Sequence, residues 1–304
     1  MTNMKKRLFF GLTSLIVFLS ACSLPGLSGT SENTIRIGTT NTSESQIIGY
    51  MTRYMIEHYT DYQVEMVNNL GSSIVQHQAM TDGQVDITPT RYTGTDLAGA
   101  LGMEPVKDPV EAMEIVQREF MKRFDQTWFD SYGFENSYAF TVTEDFAAKE
   151  NLESVSDLER LAPELRLGVD NSWLKRKGDG YDGFVQTYGF KFGETMPMQL
   201  GLVYQAVAND EMDVVLAYTS DGRIAAFDLK VLQDDQQFFP PYDTSLVARN
   251  DCLRNHPELT DIFQRLVGKI NTEKMQELNY EADGLMIEPA IVAQSFLEEN
   301  HYFE

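Results

Sequence analysis

The sequence predicts an α/β protein of two lobes around a cleft, and three observations carry that expectation. Strand-like and helix-like segments alternate from Thr34 to the end of the chain. A helix–turn–strand phrase occurs twice, as Gln78–Asp96 and again from Gln205 to Gly222, and each copy delivers a Tyr-Thr pair, Tyr92-Thr93 and Tyr218-Thr219, beyond its strand. Two aromatic stretches, Trp128–Tyr138 and Phe238–Tyr242, flank the middle third of the chain. One lobe is therefore expected from residues 34–138 with 243–304, and the other from 139–242. A strand ending in small and aromatic polar residues is where an α/β sheet presents a ligand site, and a cleft between lobes is a favoured place for one.

In chain order, residues 1–21 have the pattern of a targeting segment. Lys5, Lys6 and Arg7 form its charged start, Leu8–Leu19 its apolar run, and Leu19-Ser20-Ala21-Cys22 its close. The run is too short to span a bilayer comfortably, which favours cleavage. Leu-Ser-Ala-Cys resembles the bacterial lipobox, so Cys22 is expected to be the lipidated first residue of the mature chain, on a flexible tether reaching residue 33.

Ile35 and Ile37 alternate in the first strand, Thr34–Gly38. Ser43-Glu44-Ser45-Gln46 has capping-box spacing, and Ile47, Ile48, Met51, Met55 and Tyr59 follow at helical intervals. Tyr62–Val67 is the second strand and Gly71–Met80 the second helix. After the Asp82-Gly83 turn, a strand through Val85 and Ile87 is expected to stop at Pro89. Pro109 opens a helix that runs to Phe124. The middle third offers strands at Ala139–Val142, Leu165–Val169, Thr195–Met198, Asp213–Ala217 and Leu229–Val231, with a helix over Leu200–Val207 and an irregular connection over Asn171–Phe184. Leu246–Ala248 is the last strand, and helices over Leu259–Val267, Thr272–Tyr280 and Pro289–Glu299 complete the chain.

Composition narrows the function classes. The formal net charge is -22, and loss of residues 1–21 would remove three further cations and no acid. So acidic a surface repels phosphate backbones, which argues against nucleic-acid binding. Cys22 and Cys252 make no disulfide framework, and the four histidines show no metal-binding spacing. Gly178-Asp179-Gly180-Tyr181-Asp182-Gly183 matches a dinucleotide-loop pattern in letters only. Lys175-Arg176-Lys177, not a strand, precedes it, and its two aspartates would repel a pyrophosphate. No nucleophile or metal set marks an enzyme, and no cofactor is expected.

What remains is aromatic. A quaternary ammonium has no N–H to donate, so it is best recognised by electron-rich ring faces, each contributing roughly 0.5–2 kcal/mol. Four rings could supply much of the roughly 8 kcal/mol of micromolar binding. The tyrosines at strand ends and lobe crossings are Tyr92, Tyr138, Tyr218 and Tyr242. An amino-acid receptor would instead use an Arg–carboxylate clamp, for which Arg91 beside Asp96 is the candidate.

Four motifs bear a family resemblance: Gly71-Ser72-Ser73, Arg91-Tyr92-Thr93-Gly94-Thr95-Asp96-Leu97, Tyr132-Gly133-Phe134-Glu135-Asn136, and Leu216–Ile224 (Leu-Ala-Tyr-Thr-Ser-Asp-Gly-Arg-Ile). Together they resemble the substrate-binding lipoproteins of osmoprotectant ABC importers of Gram-positive bacteria, which bind glycine betaine, carnitine, choline and related solutes. The resemblance runs from about Thr34 to the C-terminus. It implies a two-lobed periplasmic-binding-protein fold of type II that closes on its ligand. It also implies permease and ATPase partners, a lipid anchor on the outer face of the membrane, and a cage formed by Tyr92, Tyr138, Tyr218 and Tyr242. Thr95 matches a position that helps bind the ligand's carboxylate in broad-specificity members. One departure stands out. After Ile-Arg-Ile-Gly the glycine-betaine binders carry a carboxylate-binding Gln, where this chain has Thr40, so Thr40 is expected to meet the ligand's polar end by a shorter reach.

Overall fold

Two five-stranded mixed sheets organise the protein. The computed structural model describes residues 33–174 and 179–304. The targeting segment, Cys22 and the tether as far as residue 32 lie outside the described residues. The strands are β1 (Thr34–Gly38), β2 (Gln63–Val67), β3 (Ile87–Tyr92), β4 (Gln126–Trp128), β5 (Tyr138–Thr143), β6 (Arg166–Asp170), β7 (Glu194–Met198), β8 (Val214–Tyr218), β9 (Leu229–Val231) and β10 (Thr244–Arg249). The first sheet has the order β2-β1-β3-β10-β4, and the second β7-β6-β8-β5-β9. In the first, β1 and β3 run parallel while β10 is antiparallel to both β3 and β4; in the second, β6 is parallel to β7 and β8, and β5 is antiparallel to β8 and β9.

Each sheet is covered on both faces, which is why its strands read as nearly continuous apolar runs. Along β10, Leu246 and Ala248 enter the core shared with the helix Ser43–Tyr59 and the C-terminal helices, whereas Val247 enters the core under the helix Pro109–Phe124. Along β8, Val214 and Leu216 face an aromatic cluster around Trp173 and Phe184, and Val215 and Ala217 face the helix Leu200–Ala208. Cys252 belongs to the first of these cores, and burial pushes its thiol up to about 12, as suits an inert core residue.

Several local expectations are corrected. The helix Ser43–Tyr59 is capped by Thr42, whose hydroxyl accepts from the Ser45 amide, while Ser43 donates to Asp283. Strand β3 does not stop at Pro89 but runs through it to Tyr92. Between the pairs Thr88↔Val247 and Arg91↔Ser245, Pro89 and Thr90 stand opposite the single residue Leu246. Pro89, having no N–H, is tolerated at this bulge. The connection after β6 is less irregular than expected: Tyr181–Tyr188 is a helix that buries Phe184 and Tyr188 and ends at Gly189, φ 80°. The short strand β4 had no expectation of its own.

The two aromatic stretches run side by side between the sheets. The Asn136 amide donates to the Tyr242 carbonyl, the Thr244 amide to Phe134, and Glu135 pairs with Asp243 in an antiparallel bridge. That bridge puts two half-buried carboxylates on one face. Burial, then Asp243 and Asp234, raise Glu135 above its usual 4.5, and burial raises Asp243 above 3.8. A carboxyl whose folded pKa is raised binds protons better folded than unfolded, so stability is present at low pH and falls as pH rises from the ordinary carboxylate range through the raised values. Glu135→Gln is therefore expected to raise the thermal midpoint at pH 7, with the gain shrinking as pH approaches 4. A gain independent of pH would rule out the pair repulsion as its source.

Candidate functional site

The two repeated units fold alike and deliver their tyrosines in the same way. Beyond β3, the Thr93 hydroxyl donates to the Pro241 carbonyl at 3.0 Å and its amide to Asp243 at 3.2 Å. Beyond β8, the Thr219 hydroxyl donates to the Glu135 carbonyl at 2.9 Å and its amide to Ser137 at 2.9 Å. Each threonine thus pins one of the two crossing segments, and the tyrosine before it is left at the end of its strand. The remaining tyrosines belong to the crossings themselves. Tyr138 opens β5, and Tyr242 lies two residues before β10.

A cavity of about 820 Å³ lies at these strand ends, and Tyr92, Tyr138, Tyr218 and Tyr242 all line it. Tyr138 and Tyr218 are register partners in the β5–β8 ladder, so their side chains share a face. Their rings stack with centroids 4.8 Å apart at 29°, and the Tyr218 hydroxyl lies 3.2 Å from that of Tyr138. Burial, and then Tyr138, raise the Tyr218 phenol far above its usual value, so it stays protonated. Tyr242 lies over Gly94, where a Cβ would stand 2.7 Å from the Pro241 carbonyl oxygen and 3.1 Å from the Tyr242 ring. Only glycine allows that approach.

Thr95 also lines the cavity, but Thr40 does not. The Thr40 hydroxyl lies 3.2 Å from that of Thr42 and its amide donates to Ser45, which turns the chain into the helix Ser43–Tyr59. Its neighbours Asn41–Glu44 reach the cavity in its place. The Arg91–Asp96 pair is not in the lining either. Both side chains are buried, at 0% and 2% exposure, with Arg91 Nε donating to Asp96 Oδ2 at 2.8 Å and Nη2 to Oδ1. The pair staples β3 to the short helix Thr93–Ala98 and so fixes the turn that presents Tyr92 and Thr95.

Many lining residues were not anticipated as site residues, among them Glu44, Asn136, Arg223 and Asn279. Glu44, 4% exposed, accepts from the Tyr92 hydroxyl at 2.6 Å, from Asn136 at 3.1 Å and from Asn279 at 3.3 Å. Burial, and then the Glu44 carboxylate, push the Tyr92 phenol well above its usual value, keeping it a donor. Asn279 also donates to the Ser220 carbonyl at 2.7 Å, and Gln276 donates to Thr219 at 2.6 Å. These two bonds tie the helix Thr272–Asp283 to the loop after β8. Gly222 completes that contact, since a Cβ there would stand 2.2 Å from the Tyr280 nitrogen. Among the described residues, Arg223 is the one cation lining the cavity; it is held by Asp221, which raises its pKa, and lies 4.2 Å over the Tyr204 ring. Glu44 reads as helix-capping sequence and Asn279 as an ordinary helix position, so neither gave a signal. Asn136 and Arg223 stand inside motifs already singled out.

Comparisons with known proteins place the chain in a family. The substrate-binding domain of ABC-type glycine betaine transport systems, OpuAC, matches residues 33–299. The chain belongs to this family. It is the substrate-binding component of an ABC-type transport system, and its fold is the two-lobed α/β arrangement of type II periplasmic binding proteins. Among its relatives is the carnitine transport binding protein OpuCC of Listeria monocytogenes, 56% identical over 306 residues and 99% of each chain. A glycine-betaine-binding protein of Pseudomonas aeruginosa is 30% identical over 286 residues, 89% of each chain. A solved structure described as a glycine betaine/carnitine/choline ABC transporter superposes with a TM-score of 0.87 at 56% identity, covering 89% of this chain and 100% of that one. No helix among the described residues is long and apolar enough to cross a membrane.

Proposed function

We propose that this protein captures quaternary-ammonium solutes (carnitine, glycine betaine and choline) between its lobes and delivers them to the permease of its importer. The convergence of Tyr92, Tyr138, Tyr218 and Tyr242 on one cavity carries this reading. Ring faces attract a charged head group that offers no hydrogen-bond donor, and they exclude the water that would otherwise solvate it. The carnitine-binding relative at 56% identity supports the same class of ligand. The solute's polar end is assigned to Thr95 and to the Asn41–Ser43 turn. The lobes, 34–138 with 243–304 and 139–242, are expected to close on the solute, because the cage draws rings from both of them.

The test is a titration of the purified protein with carnitine, glycine betaine, choline and glycine, followed by calorimetry and by solution scattering. The methylated amines are expected to bind and to shrink the radius of gyration, and glycine to do neither. Tighter binding of glycine than of every methylated amine would replace this function with that of an amino-acid receptor.

The mature chain is placed on the outer face of a Gram-positive membrane by lipid at Cys22, a reading supported by the Leu19-Ser20-Ala21-Cys22 sequence. Cys22→Ala is expected to release the protein from the cell surface while leaving solute affinity unchanged. Retention of a lipid-free wild type on the membrane would contradict the anchor.

A further inference from the structure

Three carboxylates stand among the lining residues of the cavity, and two of them have obvious roles. Asp221 is engaged by Arg223, and Asp283 accepts from Ser43 at the exposed rim. Glu44 is different. It is 4% exposed, and its hydrogen-bond donors are a phenol and two side-chain amides, all neutral. No ion pair joins it to a cation among the described residues. Burying a carboxylate without a counter-charge is costly, and three neutral donors with the start of a 17-residue helix offset only part of that cost. The remainder is relieved by any cation that enters the cavity beside it. The donated hydrogen bond also couples Glu44 to Tyr92, so the charge stands in the cavity beside one ring of the proposed cage.

We propose that Glu44 is a specificity-determining residue of the site, whose carboxylate selects a positively charged head group over a neutral group of the same shape. This rests on the tyrosine-cage function proposed above and assigns it a charge filter: the rings measure size and exclude water, and Glu44 supplies the counter-charge. Because Asn279 bonds Glu44 and the Ser220 carbonyl at once, the same carboxylate stands at the contact that ties the helix Thr272–Asp283 to the loop after β8.

The probes are choline and its neutral carbon isostere, 3,3-dimethylbutan-1-ol, titrated into the wild type, Glu44→Gln and Glu44→Asp. The wild type is expected to prefer choline strongly. Glu44→Gln is expected to weaken choline roughly tenfold or more and the isostere by less than about threefold, so that the ratio of the two collapses. Glu44→Asp, which keeps the charge, is expected to retain most of the preference. Equal weakening of both ligands in Glu44→Gln would reduce Glu44 to a structural support for Tyr92 and overturn the proposal, as would no change in either. Should Glu44→Gln not fold, comparable wild-type affinity for choline and the isostere would still overturn the charge filter. A wild type that binds no methylated ammonium at all removes the cage function itself. One that binds choline with a ratio insensitive to Glu44→Gln removes only the role of Glu44.

Discussion

Arg91→Ala is expected to lower the unfolding free energy by about 3–5 kcal/mol, the largest effect of any single polar substitution considered. The guanidinium and the Asp96 carboxylate are both removed from solvent, and their two hydrogen bonds are most of what compensates each charge for its lost hydration. Truncating one partner strands the other. The Arg91 guanidinium also lies 5.4 Å from the Phe120 ring centroid, so alanine leaves a gap in the core beneath the helix Pro109–Phe124. Solute affinity should fall as well, because the turn carrying Tyr92 and Thr95 loses its staple, although neither Arg91 nor Asp96 touches the cavity. Urea titration at neutral pH measures the first effect and calorimetry the second. A loss below about 1 kcal/mol would show that water enters and solvates Asp96, and that the pair is not holding the turn.

Alanine at a cage tyrosine is expected to cost about 1–2 kcal/mol of binding, tenfold or more in affinity, while phenylalanine is tolerated far better. The four positions are not equivalent. Tyr138 and Tyr218 stack and share a hydroxyl contact, so alanine at either also frees its partner from its present angle, and these two should lie at the upper end. Tyr92→Phe removes the hydroxyl that donates to Glu44 and leaves a buried acceptor one partner short, so it should itself lose part of the affinity. Glycine should not bind to any variant. Its ammonium would leave its water hydrogen bonds for ring faces, and the Glu44 carboxylate already accepts from Tyr92, Asn136 and Asn279. The decisive comparison is the Phe-to-Ala gap at each site. If phenylalanine costs as much as alanine throughout, the phenol hydroxyls rather than the ring faces recognise the ligand.

The fold was legible wherever periodicity and burial agree. The repeated helix–turn–strand phrase located β3 and β8 because both strands are buried on two faces, and a run of apolar residues between turn signals has few other uses. The four tyrosines stand out in the sequence by position, next to strand ends and crossings, and all four line the cavity. Long-range pairing was not legible. Strand β3 runs through Pro89 because it bulges there against β10, over 150 residues later in the chain, and no local rule contains that fact. The helix Tyr181–Tyr188 was not legible because Gly178, Gly180 and Gly183 mask the helical spacing of Tyr181, Phe184 and Tyr188. Glu44 was hidden for a related reason: its local sequence explains it fully as a helix start, and only the approach of Tyr92, Asn136 and Asn279 makes it part of the site.

The place of β10 has a consequence for how the molecule is made. This strand sits between β3 and β4 in the first sheet, although Thr244–Arg249 is synthesised long after both of its neighbours. Until it arrives, β3 has an open edge and β4 has no partner in that sheet. The N-terminal portion of the chain therefore cannot complete its own core as it emerges. Bringing such distant segments together slows folding, so the first sheet is expected to close only after most of the chain has been made.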